Sequence, residues 1–285
     1  MKLRSWILTI VLAAAVAAAA QDSAKPGTTV GQGSSIPGLS GIPGAEVPGF
    51  LEFGGSRSDL TSPQPSWTDF YLRGMLALNS RNAVDGEATR EERYGETGWF
   101  YTLGLTHSFG ENVYADVHGG TSTGGFFLPK YRADGFLNFK VLPHKQLVLT
   151  AGGGYDKSKT VNTATRAQFG GTYYFERPWI VQGGVMLTHA NPGNTLAPTG
   201  YMAVTQGRAK EHYITLRAEL GREAYELVGD KARNRFTLFD FPIHNYSGNW
   251  RQWVGNNWGV NFTFERQVNP FFNRNGATLG LFLDF

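Results

Sequence analysis

The sequence predicts an all-β chain: a transmembrane antiparallel up-and-down β-barrel of about 14 strands, with 12 as the alternative count. Three observations predict it. Segments of alternating polarity recur from Phe50 onward, each about 10 residues, the length a tilted strand needs to cross a bilayer. The final octapeptide, TLGLFLDF, puts Leu279, Leu281, Leu283 and Phe285 on one face and Thr278, Gly280, Phe282 and Asp284 on the other. The amino terminus reads as a secretory signal.

That signal is built from Lys2 and Arg4, an apolar run from Trp6 to Ala20, and a small-residue site ending at Ala20, before Gln21 and Asp22. Residues 1–20 are therefore expected to be a signal peptide. The run is shorter than the ~20 apolar residues of a spanning helix, and no later segment approaches one. Membrane residence then requires a barrel, because only there can strands satisfy every backbone group in lipid. Residues 21–49 are rich in Pro, Gly, Ser and Thr and bury too little apolar surface to order, so a disordered periplasmic lead-in is expected. The barrel is assigned to residues 50–285.

Within it, Leu51, Phe53 and Gly55 share one face of a first strand, which a Ser62-Pro63-Gln64-Pro65 turn ends. Phe70, Leu72, Leu76 and Leu78 then alternate with Tyr71, Arg73 and Asn79. Residues 81–96 are either a charged loop or a polar strand. Two barrel ends in the periplasm require an even count, and treating 82–93 as a strand supplies it.

The signal then sharpens. Trp99, Tyr101, Leu103 and Leu105 oppose Thr102, Gly104 and Thr106. Val113, Ala115 and Val117 oppose Tyr114, Asp116 and His118. Leu137, Phe139 and Val141 lead to Pro143, and Leu147, Leu149 and Ala151 return the chain. Phe169, Gly171, Tyr173 and Phe175 reach the Glu176-Arg177-Pro178 corner, beyond which Trp179, Val181, Val185 and Leu187 continue. Ile214, Leu216, Ala218 and Leu220 oppose Thr215, Arg217 and Glu219. Trp258, Val260, Phe262 and Phe264 oppose Asn261, Thr263 and Glu265.

A soluble sandwich would alternate too, so connections and aromatics decide. Tight turns at 109–112, 143–145, 176–178 and 207–211 alternate with polar connections at 122–130, 156–163, 191–198 and 222–240, as in a porin-like barrel. Trp67, Trp99, Tyr155, Trp179 and Trp258 stand at segment ends, where interfacial girdles form. The composition agrees, with 37 glycines and few helix-favouring runs in 285 residues. A net charge of +3 gives no footprint for nucleic acid. The absence of cysteine excludes disulfides, a thiol nucleophile and a lipoprotein anchor.

The chain resembles the YaiO-type outer-membrane β-barrel family from about residue 51 to 285. The resemblance rests on LEFGGSRSDL followed by Trp67, on GGTYYFERPW (170–179) and on TQGRAKEHYITLRAELGREAYELVG (205–229). It implies an outer-membrane barrel with no established activity or catalytic residue, and some relatives associated with envelope polysaccharide systems. Thr278, Gly280, Leu283 and Phe285 resemble the terminal signal that barrel-insertion machinery reads. The expected partners are that machinery and outer-membrane lipid, with a saccharide as candidate ligand.

Chemistry in the lumen is weighed residue by residue. A lipase-like site needs His and Ser on one strand face, but His107 and Ser108 are adjacent and so point oppositely. His118 faces the lumen with Asp116 two residues earlier, which orients a base or simply satisfies a polar wall. His189, His212 and His244 have no ligand spacing, so no metal and no cofactor is expected. The glycines at 119–120, 124–125 and 152–154 have no helix after them and suit close backbone approach better than phosphate.

The strongest site candidates are Arg217, Glu219, Arg222 and Glu223, with Tyr225 following and Trp250 in a polar connection at 230–253. They either brace the lumen and its girdle or form an outer constriction for a polar or saccharide ligand. Two functions stay open: a non-catalytic barrel, as narrow channel or docking component, and an outer-membrane enzyme acting on lipid or glycan.

Overall fold

A computed structural model describes residues 49–61, 65–176, 178–228 and 236–285, with side chains described except at 224–228 and 236–239. The expected signal and lead-in through residue 48, the expected turn at 62–64 and Arg177 of the expected corner lie outside the described residues.

Fourteen strands form one closed barrel. They are β1 (Gly49–Leu60), β2 (Trp67–Ala77), β3 (Asn82–Arg93), β4 (Glu96–Ser108) and β5 (Val113–Gly124). β6 (Tyr131–Val141), β7 (Leu147–Lys157), β8 (Thr163–Tyr174), β9 (Trp179–Asn191) and β10 (Thr195–Arg208) follow. β11 (His212–Val228), β12 (Phe236–Trp253), β13 (Trp258–Val268) and β14 (Asn273–Asp284) complete the wall. Neighbours in sequence pair antiparallel, and β1 pairs with β14, so the wall closes on itself. The Gly49 amide donates to the Phe285 carbonyl and the Phe285 amide to the Gly49 carbonyl, both at 3.0 Å. An even count returns both strand termini to one rim, here the near rim.

Period two sorts the side chains. Phe53, Leu103, Leu216 and Leu279 point outward and are more than half exposed, a surface that suits lipid. Outward aromatics gather at both rims: Trp179, Trp250 and Trp258 near, Trp99, Tyr131 and Tyr155 far. Trp67 is the exception to the expected girdle. It shares the parity of Tyr71 and Arg73, points inward and is 2% exposed.

Residues 82–93 do form a strand, β3, although Val84, Gly86 and Ala88 give it a thin apolar outer face. Complete ladders with β2 and β4 hold it. The expected long far-rim connections are mostly paired strand. What remains is 94–95, 125–130, 158–162 and 192–194, about as short as the near-rim turns. The stretch 222–240 changes most. β11 and β12 pair from His212↔Gln252 to Val228↔Phe236, whereas β10 stops at Gly221 and β13 at His244. The extra length is a two-stranded arm continuing past the ends of its neighbours, because antiparallel pairing satisfies backbone that a polar loop would expose to water.

Candidate functional site

The inward face carries three layers. At the near rim, Glu52 of β1 is fully buried. Its Oε1 accepts from Arg73 Nη2 at 2.6 Å, Tyr71 Oη at 2.9 Å and Asn261 Nδ2 at 2.9 Å, and its Oε2 from Arg251 Nη1 at 2.6 Å. Arg251 lies on Phe282, its guanidinium carbon 3.4 Å from the ring centroid. Asp284 accepts from Trp253 Nε1 at 2.7 Å and from Lys210 Nζ at 2.9 Å, which ties the 209–211 turn to β14. Charges this deep persist because each is paired and hydrogen-bonded.

The middle layer follows one line of paired positions across six strands: Asp85, Gly104, His118, Asp134, Gly154 and Arg166. Glycine separates the charged residues where strands two apart must meet. A Cβ at Gly104 would overlap Asp85 and His118; one at Gly154 would overlap Asp134 and Arg166. Over those gaps Asp85 Oδ2 reaches His118 Nδ1 at 3.4 Å and Arg166 Nη2 reaches Asp134 Oδ1 at 2.8 Å. Arg132 adds a 2.6 Å bond to Asp134, and Arg166 also binds Asp156. The side chains of Asp85 and His118 are 34% and 30% exposed, so this layer is wet.

The far layer is aromatic. Trp67 stacks edge-on to Tyr94 and Phe272, Tyr94 stacks on Phe126, and Arg93 sits 4.8 Å over Trp67 and 5.6 Å over Phe127. Phe127 and Leu128, from the 125–130 connection, fold in against Phe100. Ser122 Oγ to the Pro129 carbonyl, and Lys159 Nζ to the Gly124 and Gly125 carbonyls, hold that connection inward. Burial pushes the Tyr94 phenol above its ordinary range; Arg93 acts against this and Glu223 adds to it.

The structure separates the residues singled out from sequence. Arg217 and Glu219 point inward and pair at 2.9 Å, with Arg217 4.3 Å over the Tyr201 ring. Glu223 is inward too. Arg222 has the parity of Leu216 and Leu220, so it lies on the outer face and binds Asp240 across the arm at 2.8 Å. Trp250 is likewise outward, in β12 near the near rim rather than in a loop. The Tyr225 side chain lies outside the described residues. Thr278 and Gly280 face the lumen, Leu283 and Phe285 the lipid.

His118 takes Asp85 as its partner, not Asp116, whose carboxylate accepts instead from Asn138 Nδ2 at 3.2 Å. Residues i and i+2 of a strand project side by side about 7 Å apart, whereas the space over Gly104 lets the side chains of Asp85 and His118 lean together to 3.4 Å. His107 and Ser108 do face opposite ways, and His107 bonds Asn82 at 2.7 Å. Among the described residues no histidine ring bonds a serine or threonine hydroxyl, and no group of three or more His, Asp or Glu is arranged for a metal. Glu52, Arg251, Asp85, Arg93 and Phe127 were not evident from sequence; charge at inward parity was the available signal for the first four.

A family model, the YaiO membrane beta barrel domain, matches residues 50–226. No curated protein matches the sequence. Among solved structures the chain is similar to a bacterial polysaccharide outer membrane secretin, with 9% identity, TM-score 0.50, and 83% of this chain and 98% of that one covered. It is similar to Omp33 of Acinetobacter baumannii at 11% identity and TM-score 0.48, covering 82% and 97%. An anion-selective porin from Comamonas acidovorans aligns at 8% identity and TM-score 0.46, covering 84% and 99%. At such identities the likeness is one of fold.

Proposed function

The chain belongs to the YaiO membrane β-barrel family and resides in the outer membrane, and from that premise we propose that it is a non-catalytic, narrow channel for small polar solutes. The observation that carries this reading is the wet middle layer between two packed ones. Asp85 and His118 are about one-third exposed on the lumen side, while Glu52 and Arg251 near one rim and Trp67 and Phe127 near the other are buried. Mixed charges around a solvated interior are what a pore wall presents. The closing layers narrow the path rather than supply chemistry, since His118 meets a carboxylate and not a nucleophile.

Planar-bilayer recording of the refolded chain tests the reading. Small, regular conductance steps are expected, and Phe127→Ala, which thins the far layer, should enlarge them. Membranes that hold folded protein and show no steps would overturn the channel in favour of a structural or docking role.

A further inference from the structure

Most arginines of the described wall are ion-paired, on the outer face as on the inner one. Arg57, Arg90, Arg222 and Arg266 all have outward parity, towards the far rim. Inside, each described arginine that faces the lumen has a carboxylate within ion-pair distance. Five inward carboxylates have no arginine or lysine so placed among the described residues: Asp85 and Glu87 on β3, Glu96 at the far end of β4, Asp116 on β5 and Glu223 on β11. Asp85 has His118, Glu87 accepts only from Thr89 Oγ1 at 2.7 Å, and Asp116 has Asn138.

Asp85, Glu87 and Asp116 lie around one place in the wall. Asp85 shares its line of paired positions with His118, Glu87 stands one inward step towards the far rim, and Asp116 one step towards the near rim. Asp85 and Glu87 stand about 7 Å apart along β3, within a Debye length of roughly 8 Å at physiological salt, and Asp116, beside His118 on β5, extends that field across the wall. A confined path with low-dielectric walls focuses such a field on whatever passes. Two inward lysines stand against them, both at rims. Lys140 lies over the Tyr114 ring at the near end of β6, and Lys159 is bound to the far-rim carbonyls of Gly124 and Gly125.

We infer that the lumen passes cations in preference to anions, and that Asp85, Glu87 and Asp116 set the sign. The inference rests on the channel reading and adds the class of solute. The three carboxylates stand along the wall where a solute must shed part of its water, so a cation is favoured there and an anion repelled. The Asp134–Asp156–Arg132–Arg166 group alongside pairs two carboxylates with two guanidiniums and adds no sign of its own.

The test is the reversal potential of the refolded full chain in a planar bilayer under a KCl gradient. Wild type should reverse on the potassium side. The triple variant Asp85→Asn, Glu87→Gln, Asp116→Asn should move the reversal potential towards zero with conductance retained. Heat-modifiable gel mobility confirms that each variant is folded. If the triple variant does not fold, Glu87→Gln alone, outside the Asp85–His118 pair, should give a smaller shift in the same direction. Chloride preference in wild type, or a neutralised variant with unmoved reversal potential, overturns the inference and leaves the channel standing. Folded protein with no conductance overturns both.

Discussion

Glu52 on β1 and Arg251 on β12 meet at 2.6 Å across the two strands that separate them in the wall. The pair spans the place where the barrel closes on itself, and it lies where water cannot replace a lost partner. Arg73 draws on the same carboxylate.

Glu52→Ala should therefore cost about 3–5 kcal/mol, because it removes the buried carboxylate that two guanidiniums bind at 2.6 Å. Adding Arg251→Met should recover part of that loss. Urea titration in lipid vesicles measures both. A cost for Glu52→Ala within ~0.5 kcal/mol of zero, as at an ordinary surface position, would show that the pair does not hold the closing seam.

The strand faces can be tested on β4. Leu103 is 54% exposed on the outer surface, and Thr106 points inward opposite Asp116. Arginine on the lipid face near the bilayer midplane costs about 2–4 kcal/mol and is tolerated far better in a polar lumen. Leu103→Arg should lose stability by that order. Thr106→Arg should lose much less, and it should weaken any preference for cations by placing a positive charge beside Asp116. Equal losses, or the reverse order, would mean the register of β4 is misassigned.

The glycine gaps give a sharper contrast. Alanine at Gly154 would overlap Asp134 and Arg166, while a Cβ at Gly119, on the outer face of β5, meets nothing within 4 Å. Gly154→Ala should cost about 1–3 kcal/mol as an overpacking change, and Gly119→Ala should stay within ~0.5 kcal/mol of wild type. Comparable unfolding midpoints for the two would remove the spacer role given to Gly154.

Phe285 is proposed to act in assembly as well as to face lipid. Deleting it, or Phe285→Asp, should lower the amount of heat-modifiable barrel in cells more than it lowers refolding in detergent. Undiminished assembly of either variant in cells would refute the signal.

The faces of the wall were legible in the sequence, and the contacts across it were not. Alternation is repeated at every step of a strand, so Leu103, Val117, Leu216 and Leu279 each had several neighbours to fix their side. The same parity would have turned Arg222 and Trp250 outward and Trp67 inward. Arg222 and Trp250 fall in stretches whose polarity reads as connections, and Trp67 at a segment end whose residue type reads as girdle. β3 was recoverable only through the even count, since Val84, Gly86 and Ala88 carry so little apolar signal. Asp85–His118 and Glu52–Arg251 depend on how far each strand is slid against the next, and periodicity within one strand holds no information on that offset. Glycine at 104 and 154 marked where backbones approach but not which side chains would meet there.

The pairing of β1 with β14 has a consequence for a chain still being made. Gly49 and Phe285 are the two sides of one joint, and the first strand has no partner on one flank until the last arrives. Until then thirteen strands are a ribbon with two raw margins, each a template for wrong annealing. A chain cut short anywhere in the barrel never loses those margins, so unfinished product stays distinguishable from finished product by geometry alone.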